Sequence, residues 1–232
     1  MEQGFPRTPL NGSALVGLLT QMALVDGQGA RPSFIEGMGR WLGWADAIPL
    51  SAALQAAPAA AERSARPERV SRPAARLEAE FARVQTALRR AIEDDSQAAP
   101  AEADFPSYRR RYVNLQQAMQ AGITALRAQA RAAVAPLSPA LGQLAAIDAV
   151  MDQALAEREQ ALLTLMPALL QKHFERLHAA SNSGAASATH PNDWLKPFRH
   201  DMKRMLLAEL DLRLQATQGL LEAAAQHATG HR

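Results

Sequence analysis

The feature that most constrains this chain is a pair of long apolar stripes written at helical spacing. Tyr108, Tyr112, Leu115, Met119, Ile123, Leu126, Ala130 and Val134 recur mostly three or four residues apart. Pro136 interrupts them. A second stripe then runs through Leu141, Leu144, Ile147, Met151, Leu155, Leu162, Leu165 and Leu169 to Phe174 and Leu177. Residues three and four apart share one face of a helix, whereas strand residues alternate between faces, so these stripes predict helices. Ser138 predicts an N-cap, and Pro139 takes the first helical position, where its missing N–H is no loss. Two long helices joined by about four residues pack antiparallel. Pro167 lies inside the second stripe and predicts a kink or break between Leu163 and Met166.

Composition points the same way. Apolar residues make up 48% of the chain, but many are Ala, and aromatics are only 5%. Small and straight-chain residues lose little rotamer freedom in a helix. The predicted class is all-α: an elongated antiparallel bundle of long, heptad-like helices with a small N-terminal helical hairpin.

The hairpin is read over residues 1–54. Ser13 caps a first helix bearing Leu15, Leu18, Leu19 and Met22, which stops at Asp26-Gly27. Ser33 caps a second, in which Phe34, Met38, Trp41, Ala45 and Ile48 form one stripe with Trp44 beside it. Pro49 should kink or end that helix, and Ser51 restarts it toward Leu54. Residues 55–72 are rich in Ala, Pro, Arg and Glu and read as a flexible linker. The main bundle then spans 73–232. Pro73 opens a helix carrying Leu77, Phe81, Val84, Leu88 and Ile92, and Ser107 caps the next. Residues 182–192 read as a mobile loop. A last helix extends from about 193 to about 225, with an apolar face wide enough to be buried on more than one side.

The residues that usually carry chemistry are not arranged for it. There is no Cys, which excludes disulfides, thiolate metal sites and Cys nucleophiles. No HExxH, phosphate-cradling Gly loop or nucleophile elbow is present. Di-iron bundles need two Glu-x-x-His motifs on facing helices, and the chain holds no such pair. His227 and His231 have ligand spacing but sit at a ragged terminus, and Asp148 and Asp152 read as solvated positions. No catalytic, cofactor-binding or metal residue is predicted, and the chain reads as non-enzymatic. The longest early apolar run, Ala14 to Val25, is too short to span a bilayer, so the chain reads as cytoplasmic with no transmembrane segment.

Two features suggest contact surfaces. Arg109, Arg110 and Arg111 lie between Tyr108 and Tyr112. Arginines between aromatics can hold phosphates while the rings stack on bases. Helical spacing argues otherwise, turning both tyrosines to the core and the arginines outward. These cations stand near a helix N-terminus, where the macrodipole disfavours them. An acidic partner would answer that, as would the neighbouring Glu102 and Asp104. Trp41 reads as core, and Trp44, off its stripe, as the better interface residue. The candidate interaction residues are therefore Trp41, Trp44, Arg109, Arg110 and Arg111. A net charge of +2, from 25 basic and 23 acidic residues, does not mark a nucleic-acid binder. The alternative of nucleic-acid binding rests on arginine clusters in 63–72 and 109–111.

Three stretches carry a resemblance: RTPLNGSALVGLL with WLGWADAIPLSAAL, YRRRYVNLQQAM to ALAEREQALLTLMPALL, and WLKPF to LLAELDLRLQATQGLL. Together they resemble a full-length proteobacterial family known only as a domain of unknown function. The resemblance brings no site residues with it. It implies a cytoplasmic accessory subunit of an envelope-linked assembly, since genes of this type lie beside those of an OmpA-like protein and a coiled-coil membrane protein. The expected partner is another protein or a second copy.

Overall fold

A computed structural model of the chain describes residues 14–24, 44–55, 67–94, 104–182 and 192–230. The described residues form helices α1 (Ala14–Gln21), α2 (Trp44–Gln55), α3 (Pro67–Glu93), α4 (Phe105–Val134), α5 (Pro139–Leu163), α6 (Met166–Asn182) and α7 (Leu195–Gly230), with no strand among them. The protein is all-α, as the stripes predict. At 1.5 Å per residue the 36 residues of α7 extend about 54 Å.

Helices α3, α4 and α7 pack on one another and form the spine of the bundle. The α4 stripe is buried as its spacing predicts: Tyr108, Tyr112, Met119, Ile123, Leu126, Ala130 and Val134 all face inward. The first five of these meet Phe198, Met202, Met205, Leu206, Leu210 and Leu214 of α7. A second apolar cluster at the far end joins Leu77, Ala130, Val134, Leu141, Leu220, Leu221 and Ala224. Each large apolar side chain so buried contributes about 1.5–3 kcal/mol relative to exposure. Helix α5 lies on α4, and α6 contacts both α4 and α7. Outside this core α1 packs on α7, while α2 packs on α5.

The turn between α4 and α5 obeys its sequence signals. The Ser138 hydroxyl accepts from the Leu141 N–H at 3.2 Å, with Pro139 opening the helix. The turn is tight, since a Cβ at Gly142 would stand 3.1 Å from the Ala135 carbonyl oxygen. Ser138→Ala should lower stability by about 0.5–2 kcal/mol, read as a shifted urea midpoint at unchanged slope.

Several expectations are corrected. Helix α4 begins at Phe105 with Asp104 as its N-cap, and the Ser107 hydroxyl instead donates to Asp104 Oδ2 at 2.7 Å. Starting there lets the Phe105 ring reach Phe174, 5.4 Å away. Helix α3 begins at Pro67, so it takes in part of the segment that composition marks as linker. Pro67 suits a first turn, and Glu and Arg are good helix formers. Helix α1 ends at Gln21, before Asp26-Gly27. Its C-terminus closes with Leu24 N–H on the Leu19 carbonyl and Ala23 N–H on that of Thr20, Ala23 adopting φ 52. That is the αL termination usually given to glycine. Helix α2 runs through Pro49 without a break. Ile48, which its spacing places on an inward stripe, is 67% exposed, and Ala53 is the buried residue there.

Pro167 does break the second stripe. Helix α5 ends at Leu163, and α6 restarts at Met166 with Pro167 in its first turn. The intervening turn resets the phase, so Leu163 and Met166 are buried while Leu162 and Leu165 are exposed. The last helix starts near its expected position and continues to Gly230. Trp41, the Ser13 and Ser33 caps and nearly all of the loop 182–192 lie outside the described residues.

Candidate interaction surface

Beneath the outer face of α4 lies a buried polar cluster. Glu209 of α7 is fully buried, an uncommon place for a carboxylate. It falls within the apolar sequence Met205, Leu206 and Leu210, so helix geometry carries it into the core. There its oxygens are satisfied. Tyr112 donates to Oε2 at 3.1 Å, and Gln116 reaches both oxygens at 3.0 and 3.1 Å. Arg213, one turn on, donates Nε and Nη2 to Oε1 at 3.1 and 3.0 Å. Gln116 also donates to the Leu163 carbonyl at 3.0 Å, and Arg213 to Gln120. The cluster therefore ties α4, α7 and the end of α5 together. Burial pushes the Tyr112 phenol well above its usual 10, and the Glu209 charge raises it further.

Above this cluster the surface is concave. A cleft of about 780 Å³ separates α4 from the end of α5 and the start of α6. The α4 wall presents Arg109, Val113, Gln117, Ala121, Ala125 and Ala128, and the opposite wall Gln160, Leu163, Thr164 and Pro167. A second depression of about 720 Å³ continues from it, sharing Arg109 and Val113 and adding Arg110, Phe105 and Gln171. Among the described residues no carboxylate lines either one. Leu162 and Leu165, about half exposed, adjoin the opposite wall.

Other polar groups hold helices together. Arg127 and Arg131 of α4 pair with Asp148 and Asp152 of α5 at 2.7–3.0 Å. These two aspartates, expected to be solvated, are thus half-buried partners across a helix pair. His173 is buried, with Nε2 2.9 Å from Asp201 and Nδ1 2.9 Å from Arg176. Arginine only donates, so Nδ1 accepts and Nε2 carries the proton to Asp201. Arg176 also donates to the Met22 carbonyl at 2.6 Å, fastening α1. Among the described residues no three His, Asp or Glu converge as a metal site. No helix among them is long and apolar enough to cross a membrane.

The model of the family described as "Protein of unknown function (DUF3348)" matches residues 1–226. The chain belongs to that family. No curated protein matches it, and no solved structure does.

In this DUF3348 chain the residues singled out from sequence part company. Tyr108 and Tyr112 are buried, Tyr108 accepting a hydrogen bond from Arg199 at 2.8 Å. No ring is left there for a nucleobase. Arg109 and Arg110 are exposed and form no ion pair among the described residues. Arg111 turns back and donates to the Asp94 carbonyl, leaving Nη1 buried without a partner among them. Trp44 opens α2. Arg69 and Arg72 fall within α3, whereas Arg63 and Arg66 lie outside the described residues. Stripe and motif reasoning misses Glu209, Arg213 and Gln116. A signal for them exists: an acid and a base four apart inside an apolar run, with a Tyr and a Gln four apart on the partner helix.

Proposed function

We propose that this is a non-enzymatic cytoplasmic interaction protein, an accessory subunit of an envelope-linked assembly, that holds a protein partner along the outer face of α4. One observation carries the contact role, and the envelope-linked assembly rests on the family resemblance alone. The concave face between α4 and the α5–α6 turn is lined by amide, methyl and arginine groups, above a hydrogen-bonded polar base. Grooves between helices are where a partner buries side chains without the receiving surface refolding.

The test is stoichiometric co-purification from the native host, comparing the wild-type chain with Ala121→Trp, which fills the cleft from an exposed position. A partner belonging to an envelope complex is expected with wild type and lost with the variant. An identical set of bound proteins from both would sink the reading. Nucleic-acid binding is the second reading, favoured by exposed Arg109 and Arg110 alone. It predicts a gel shift at low salt that vanishes steeply as salt rises.

A further inference from the structure

Building on the contact role proposed for α4, we infer that the two joined depressions receive an acidic amphipathic helix. Shape argues for a helix. The depressions track α4 from Phe105 to Ala128, which at 1.5 Å per residue is about 35 Å of groove bounded by helices. A groove between helix ridges is where another helix packs. Ala121, Ala125 and Ala128 put only methyl groups on the α4 wall, so a second helix backbone can approach closely and lay an apolar stripe against it and against Val113, Leu163 and Pro167.

Charge argues for acid. Among the described residues the groove is lined by Arg109, Arg110 and Arg213 and by no carboxylate. Arg213 is neutralised from below by Glu209, and Glu159 stands 3.8 Å from it. Arg109 and Arg110 carry no such counter-charge among the described residues. Both are exposed on the second turn of α4. A helix with carboxylates at one end and apolar residues at every third or fourth position complements this pattern. Duplex DNA complements it poorly, since its affinity is built from many Lys and Arg contacts to phosphates and two free arginines in a groove supply few of them.

The experiment places a photo-cross-linking residue at exposed Gln117 of the full chain in the native host. The adduct is sequenced, and the cross-linked segment is then made as a peptide for anisotropy titration. The expected adduct is a segment with more acidic than basic residues and apolar residues at helical spacing. Its peptide should bind the purified chain, and at least about tenfold more weakly once Arg109→Glu and Arg110→Glu are combined, the circular dichroism being unchanged. Raising salt should weaken it as well. An adduct with a basic segment, with nucleic acid or with a second copy overturns the acidic helix. So does a peptide indifferent to the charge reversal. An adduct with any other protein segment leaves the contact role of α4 standing but overturns the acidic helix, whereas no adduct at Gln117 overturns both.

Discussion

Replacing Glu209 by alanine should cost about 3–5 kcal/mol of folding free energy, because it leaves Arg213 charged and buried without its close carboxylate partner. Only Glu159 remains near, at 3.8 Å and half-exposed. The Tyr112 hydroxyl also loses its acceptor, and Gln116 keeps only the Leu163 carbonyl. In a chain of this length that loss corresponds to roughly 2–4 °C of melting temperature per kcal/mol. The complementary expectation is opposite in sign. Glu209→Leu, Arg213→Met and Tyr112→Phe together remove the charged pair and the hydroxyl that would be stranded. That triple variant should match or exceed the wild type, since apolar replacements of a buried ion pair are often neutral or stabilising. Urea unfolding of the single and triple variants decides it. A Glu209→Ala protein within about 1 kcal/mol of wild type would mean that water already reaches the pair.

The same cluster should make stability fall at alkaline pH. In the unfolded chain Tyr112 ionises near its ordinary value of about 10. In the folded chain burial and the Glu209 carboxylate hold it protonated well above that. Below pH 10 both states carry the proton, and the stabilising contribution is intact. As pH climbs past 10 toward the folded value, the unfolded state sheds a proton that the folded state keeps, so stability falls. Tyr112→Phe should start about 1 kcal/mol lower through the lost hydrogen bond, yet decline less steeply above pH 10. Parallel stability curves for the two proteins in that range would contradict the argument.

What the sequence disclosed and what it hid divide along one physical line. Periodicity reports which face is apolar, so the α4 stripe and the breadth of the α7 face were legible from Tyr108 to Val134 and from Phe198 to Leu214. Local stereochemistry reports helix ends, so Ser138-Pro139 and Pro167 marked a cap and a break. Periodicity assumes an unbroken phase, however. The turn at Thr164 and Leu165 resets it, and two leucines on the predicted stripe face solvent. Pairing is less legible still. Whether Asp148 is solvated or bridges Arg127 and Arg131 depends on the antiparallel register of α4 and α5, which no single segment states. Glu209 is the extreme case. A charged residue in an apolar run reads as a surface position until a Tyr, a Gln and an Arg from two helices are known to converge on it. The outer face of α4 was visible only as three arginines, because a groove belongs to two helices at once.

Phe198→Ala should be the other severe substitution, at about 3–5 kcal/mol. Phe198 is fully buried, with its ring edge-to-face on Tyr108 and on Phe174, each at 5.0 Å. It thus joins the first turn of α7 to the first turn of α4 and to the middle of α6. Phe174 in turn meets Trp194 at 4.9 Å and Phe105 at 5.4 Å, so five rings close this end of the bundle. Deleting one leaves a cavity that its stiff neighbours cannot fill. Phe198→Leu keeps much of the volume and loses mainly the ring geometry, about 0.5–1.5 kcal/mol per contact, so it should be clearly milder. The damage should also be local. Amide exchange in α4 ought to accelerate from Tyr108 through Tyr112, which carry the Arg109–Arg110 edge, more than from Ala130 to Val134, which belong to the other apolar cluster. If exchange rises evenly along α4, the two ends unfold as one cooperative unit, and the aromatic cluster does not separately position the arginine edge.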